Sequence, residues 1–225
     1  MTLWGQSQSH EFKIDYTVKY LVENKQGSKD TVSIGFEKNG KYLWSDYKGI
    51  VREFASKVLN DDNDIPSGSS NIIYSSADGK LYIILDIDAF KMTLDTEIAA
   101  LLPGGNANNS MNEKAELKHE KSNQNFMFDG KKVDVYKIFP NTEPQNEIYM
   151  AIDTSYSLDN NFLFQNFLNI MLNATSSKGE IKINIPNGII LSMTGPSSDK
   201  MLIEAISVDT KSRKISLNNS FKISE

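Results

Sequence analysis

A mainly β (α+β) fold is what this sequence predicts: a strongly curved antiparallel sheet or half-barrel with two or three short helices. Three observations carry that expectation. The hydrophobic pattern has a period of two along much of the chain, four Asn-Gly or Asp-Gly dipeptides sit between apolar-rich runs, and stretches of helical period are scarce.

The period opens the chain. Phe12, Ile14, Tyr16, Val18, Tyr20 and Val22 alternate with Glu11, Lys13, Asp15, Thr17 and Lys19, which predicts one long strand with a buried and a wet face. Val32, Ile34 and Phe36 repeat the pattern, as do Ile181, Ile183 and Ile185, then Ile189, Leu191 and Met193. Asn39-Gly40, Asp78-Gly79, Asp129-Gly130 and Asn187-Gly188 punctuate the strands. These dipeptides accept the positive φ angles of a type I′ turn, so each is expected to close a hairpin. Pro186, which lacks an N–H, places its strand end at an edge or bulge.

Three segments carry helical spacing. In the first, Tyr47, Ile50, Val51, Phe54, Ala55, Val58 and Leu59 share a face. The second runs from Leu94 to Leu102 and stops at Pro103-Gly104-Gly105. The third is Asn160 to Asn173, with Phe164, Phe167, Leu168 and Met171 on one face and Asn161, Gln165, Asn169 and Asn173 on another. Two polar, breaker-rich loops span Asn60 to Asn71 and Pro103 to Lys114. Similar strand patterns flank both, so they read as loops of one curved sheet, not as linkers. Residues 10–225 are therefore expected to form a single β-rich domain.

Residues 1–9 have a different texture. Leu3-Trp4 followed by Ser7-Gln8-Ser9 approximates the end of an apolar signal region and its small-residue cleavage site. The leader is read as a signal-peptide remnant or a disordered start, and the first reading places the protein in the periplasm or otherwise outside the cytoplasm.

The bulk chemistry excludes several classes. A net charge of −5 with scattered Lys and Arg argues against nucleic acid, which calls for a basic stripe. The absence of cysteine removes disulfides, thiolate nucleophiles and cysteine-held metals. No apolar run reaches the ~20 residues of a transmembrane helix.

No motif marks a catalytic or metal site. His10 and His119 are the two histidines, and His119-Glu120 lacks the second histidine of a metalloprotease helix. Asp61, Asp62 and Asp64 lack the glycine and closing glutamate of a calcium loop. No phosphate-cradling glycine pattern or nucleophile elbow is present. The expectation is a non-enzyme with no cofactor.

Aromatic residues and methionines are better placed. Tyr16, Tyr20, Tyr42, Trp44, Phe90, Met150, Phe167 and Met193 fall in predicted strands or helices. Such side chains pack cores, and they also suit cavities for variable apolar ligands. With few helices to cover a curled sheet, these eight are the candidate ligand-binding residues.

The layout resembles a known family. A signal-like leader and long first strand precede "FEKNGKYLWSDYKG", "SSADGKLYIILDI" and "FMFDGKKVDVYKIF". "EIYMAIDTSY", a short helix, "IPNGIILSMTG" and "MLIEAISVDTKSRKISLNNSFKIS" follow. In this order the chain is similar to uncharacterised envelope domains of Gram-negative bacteria whose fold is that of the periplasmic lipoprotein carrier and its outer-membrane receptor, the LolA/LolB-like half-barrels. The resemblance implies a curved antiparallel half-barrel that holds acyl chains, with helices plugging its mouth. It transfers no residue position, and the lipobox cysteine of an anchored receptor is absent.

The function expected is periplasmic, non-catalytic binding or carrying of a lipid or acyl chain on a concave sheet. Two other readings stay open. One is an envelope protein–protein interaction module, favoured by a crosslinked partner and an empty cavity. The other is a carbohydrate-active hydrolase, favoured by activity lost on Asp-to-Asn substitution between Asn60 and Asn71.

Overall fold

In a computed structural model of the chain, residues 10–23, 28–46, 69–87, 90–97, 114–174, 180–195 and 201–217 are described. They form β1 (His10–Ile14), β2 (Tyr16–Glu23), β3 (Lys29–Phe36), β4 (Tyr42–Ser45), β5 (Ser69–Ser75), β6 (Lys80–Ile87) and β7 (Phe90–Glu97). There follow β8 (Lys114–Phe128), β9 (Lys131–Pro140), β10 (Ile148–Asp153), helix α1 (Asn160–Ala174), β11 (Glu180–Ile183), β12 (Ile189–Thr194), β13 (Met201–Asp209) and β14 (Arg213–Leu217).

Twelve of these strands make one sheet, in the order β11-β8-β9-β10-β12-β13-β2-β3-β4-β5-β6-β7, while β1 and β14 pair separately. The mainly β expectation therefore holds. The sheet is mixed, not purely antiparallel, because β11 runs parallel to β8. It is not a closed barrel, since β11 and β7 are its two ends.

Alternating side chains divide the sheet into two faces. The front face carries the largest apolar cluster, including Val18, Tyr20, Ile83, Ile189 and Leu191, with Leu158 and Leu163 packed over one end. The back face carries two clusters, each with its own cover. Ile73, Tyr82, Ile84 and Trp44 lie beneath Phe12, Ile14 and Leu217 of the β1–β14 pair. Ile138, Met150, Ile152 and Ile190 join Ile183 and Ile185, with Phe164 and Leu168 of α1 against them.

The long first strand predicted from the alternation is in fact two. Phe12 and Ile14 share parity with Val18 and Tyr20, yet they belong to opposite faces of the sheet. The chain breaks at Asp15. Its N–H donates to the Phe36 carbonyl (2.8 Å), and its carboxylate accepts from Lys38 N (3.1 Å) and meets Lys13 Nζ (2.6 Å). Opposite this break, β13 ends at Asp209 and β14 starts at Arg213. The paired β2 and β13 thus continue as the paired β1 and β14, which fold over the back face. Gly35 makes room for the crossing, since a Cβ there would lie 2.7 Å from Ile14 Cγ2.

Three of the four glycine turns close hairpins, and only Asp129-Gly130 has the type I′ signature, with φ of 48° and 72°. Asn187-Gly188 does not, which corrects the hairpin expectation. β11 pairs with β8 and β12 with β10, so residues 184–188 form a crossover. Gly188 is needed there because it has φ 137° and packs on the Asp153 carbonyl.

Among the helix expectations, Asn160 to Asn173 is confirmed as α1. The segment from Tyr47 to Leu59 lies outside the described residues. The segment from Leu94 to Leu102 begins as strand, with Leu94 paired to Ile83 and Glu97 to Lys80, and its residues 98–102 lie outside the described residues. The alternation of Phe90, Met92 and Leu94 and the available β6 edge outweigh the local helical spacing, because pairing satisfies a full ladder of backbone groups. Among the described residues, no helix is long and apolar enough to cross a membrane.

The asparagine–glutamine stripe of α1 has a structural use that spacing alone does not disclose. Asn161 accepts from Ile185 N (3.0 Å) and donates to Ile185 O (2.9 Å). Gln165 accepts from Ile183 N (2.8 Å) and donates to Ile181 O. These amides stand in for a neighbouring strand and cover the free edge of β11. Asp159 caps the helix through Phe162 N (3.0 Å).

Candidate ligand-binding face

The buried residues of the front face come from eight strands, from β9 at one side to β6 at the other, and β4 and β8 add half-buried ones. Its central residues are fully buried, among them Val18, Ile83, Ile189 and Leu191. Its margin is half-buried and partly aromatic: Tyr16, Val22, Ile34, Phe126, Phe128, Tyr149 and Tyr156 pack against the centre. Turn chemistry and strand direction put Asn39-Gly40, Asp78-Gly79 and Asp129-Gly130 at one rim of the sheet. The segments joining β2 to β3, β4 to β5 and β9 to β10 leave the opposite rim.

At the turn rim, the Tyr16 and Tyr156 rings meet edge to face at 5.5 Å, and Tyr16 Oη lies 3.2 Å from Ser157 Oγ. Burial, with the Asp153 charge, raises the Tyr156 phenol above its ordinary pKa. Deeper in, Tyr20 donates to the Ile190 carbonyl at 2.7 Å, and complete burial pushes its ionisation well above the usual range. A tyrosine so held contributes a fixed apolar wall and no acid–base chemistry near neutral pH.

At the opposite rim, polar groups enter the same face. Val133 and Val135 of β9 point to the front, so Lys137 does as well, directly across from Tyr149 of β10 and Glu120 of β8. Lys137 Nζ pairs with Glu147, and Tyr149 Oη donates to Glu147 Oε1 at 2.7 Å. The Lys137 ammonium also lies 5.4 Å from the Phe139 ring centre. The hydrogen bond and charge of Glu147 raise the Lys137 pKa, and Lys137 and Tyr149 lower that of Glu147.

Six of the eight candidate residues have described side chains, and they fall in three places. Tyr16 and Tyr20 belong to the front cluster. Tyr42 and Trp44 lie on the back face under the β1–β14 pair, with Arg213 stacked 3.9 Å above the Trp44 ring. Met150 and Met193 lie on the back face by α1. The side chains of Phe90 and Phe167 lie outside the described residues.

Lys137, Glu147 and Tyr149 escaped the sequence reading. A signal was present, because Lys137 interrupts an apolar parity that runs from Val133 through Val135 to Phe139. His119 is half-buried in β8, its Nδ1 2.8 Å from the Asn184 carbonyl and its ring against Tyr136. Among the described residues, no three His, Asp or Glu converge as a metal site. Asp61, Asp62 and Asp64 lie outside them.

No protein-family profile matches the chain, and no curated protein matches it. Among solved structures, PNGF-II in a C2 crystal form aligns with 92% of this chain and 30% of its own, at 11% identity and a TM-score of 0.37. PNGF-II in a P21 form aligns with 95% of this chain and 29% of its own, at 11% identity and a TM-score of 0.34. The chain thus spans about a third or less of the length of those structures.

Proposed function

We propose that the protein is an exported, periplasmic, non-catalytic binder or carrier of an apolar ligand, a lipid or acyl chain, seated on the front face of a strongly curved half-barrel of the lipoprotein-carrier type. The observation that carries this reading is the front cluster itself. It takes buried residues from eight strands and is buried to completeness at its centre, yet its described cover is confined to the segment around Leu158 and Leu163.

Chain connectivity supports the curvature. β7 and β8 lie ten strand steps apart in the sheet order, about 48 Å if the sheet were flat. The connection leaves β7 at the turn rim and enters β8 at the far end of that 15-residue strand, so its length of roughly 45 Å adds to the separation. The diagonal of a flat sheet is then about 66 Å, beyond the roughly 56–61 Å that the 17 Cα steps from Glu97 to Lys114 reach at full extension. Curling the sheet shortens the distance, and sheets beyond ~10 strands favour curling.

On a concave apolar face, each methylene taken from water contributes about 0.8 kcal/mol, so a single acyl chain supplies ample affinity without any charged group. Export is supported by the small-residue pattern Ser7-Gln8-Ser9 and by the cysteine-free composition.

The test is mass spectrometry of an organic-solvent extract of the natively exported, gently purified protein, followed by titration with oleate and with dioleoyl phospholipid. A stoichiometric apolar molecule and saturable uptake are expected. A clean extract together with no saturable uptake overturns the reading and favours the interaction module.

A further inference from the structure

We infer that Lys137, Glu147 and Tyr149 form a head-group subsite for a zwitterionic amphiphile, one whose head joins a phosphate to an ammonium; the inference rests on the ligand-binding reading above. The three groups stand at one rim of the front face, where the apolar cluster meets the segments that leave the sheet.

An ion pair on an otherwise apolar parity calls for a reason. Val133 and Val135 continue into Lys137, whose side chain is 31% exposed, and Glu147 is 21% exposed. Both are held: Glu147 accepts from Lys137 and from the Tyr149 hydroxyl, and Lys137 rests near the Phe139 ring. Fixed polar groups at the border of an apolar surface are the usual means of orienting a ligand that is apolar elsewhere.

The arrangement of charge selects the head. Glu120 lies across from Lys137 on β8, so the cation is flanked by two carboxylates. Lys118 and Glu116 continue the same row with a further alternation of sign. A purely anionic head would meet Glu120 and Glu147, and a purely cationic one would meet Lys137 and Lys118. A head that carries both signs finds a partner for each: its phosphate takes the remaining Lys137 N–H donors, and its ammonium faces a carboxylate. The acyl chains then run over Tyr149 toward the buried centre at Leu191 and Ile189.

The experiment loads the full chain from vesicles containing equal parts of dioleoyl phosphatidylethanolamine, phosphatidylglycerol and diacylglycerol. Protein-bound lipid is counted by mass spectrometry after gel filtration. The zwitterionic lipid is expected to be enriched about tenfold over each of the others, the worth of one charge-assisted hydrogen bond. The variant Lys137→Glu/Glu147→Lys keeps an ion pair, and so the fold, while reversing its polarity. It is expected to lose the enrichment and to keep its melting temperature. Equal loading of the three lipids, or an unchanged preference in the swapped variant, overturns the subsite and leaves the ligand-binding reading standing. Failure to load any lipid overturns both.

Discussion

Replacing Gly35 by alanine sets two opposed terms against each other. Gly35 is buried in an extended strand, with no positive φ to relieve. Loss of glycine freedom in the unfolded chain would then stabilise the protein by about 0.4–1 kcal/mol. The structure opposes this, since a new Cβ would sit 2.7 Å from Ile14 Cγ2 and 3.2 Å from Trp44 Cε3. Ile14 is fully buried and β-branched, so its methyl cannot swing aside, and Trp44 is pinned by Arg213. Overpacking of this kind costs about 1–3 kcal/mol. The net expectation is destabilisation of about 1–2 kcal/mol, or roughly 2–6 °C in Tm for a chain of this size. Urea denaturation followed by circular dichroism reads it, with Ile14→Ala as the second arm of a double-mutant cycle. In the Ile14→Ala background the clash is gone, and Gly35→Ala should be neutral or stabilising. A stabilising effect of Gly35→Ala alone, or the same cost in both backgrounds, would refute the account of the β1–β14 pair as folded tightly over the back face.

Gly188→Ala should cost about 2 kcal/mol or more, because its Cβ would lie 2.4 Å from the Asp153 carbonyl, whereas Gly130→Ala, with nothing within 4 Å, should cost about 1 kcal/mol; thermal melts compare them. Asn161→Ala and Gln165→Ala should each destabilise by about 1–3 kcal/mol by stripping partners from the β11 edge, with amide exchange quickening first at Ile183 and Ile185. Asp15 carries a carboxyl pKa held down by Lys13, Lys38 N and Ser212 against the opposing effect of burial. Its contribution is therefore complete above about pH 3.9, the unfolded value, and is lost as pH falls through the lower folded value. Acid titration of Asp15→Asn should show a shallower loss of stability below that point. In alkali, Tyr74 and Tyr82 should ionise only near 12, because burial raises both; an ultraviolet absorbance titration in which all tyrosines ionise together near 10 would contradict the packing.

The strands were legible because their signal is local. Alternation at Val32, Ile34 and Phe36 reports a pleat with one buried side, and a strand shows that pattern whatever its partner. Asp129-Gly130 was legible for a similar reason, since two consecutive positive φ angles restrict the residues that can stand there. Leu94 to Glu97, the start of the Leu94 to Leu102 segment, differ from the helical expectation because that spacing takes no account of the β6 edge that captures them. The candidate ligand-binding residues scattered for a related reason. Residue type identifies an apolar side chain, but only the pairing order says which face of which layer receives it.

The sequence by itself determined that this chain builds a large sheet from period-two strands and that Asn160 to Asn173 is helical. Tertiary structure decided the rest. It peeled β1 away from β2 at Asp15, although the alternation runs through that residue without a break. It turned an asparagine–glutamine stripe into the cover of a strand edge, and it set Lys137, Glu147 and Tyr149 at the border of the front face. Periodicity encodes which side of a strand is buried. The groups that bury it come from strands and loops distant in sequence, and these meet only when the sheet order is in place.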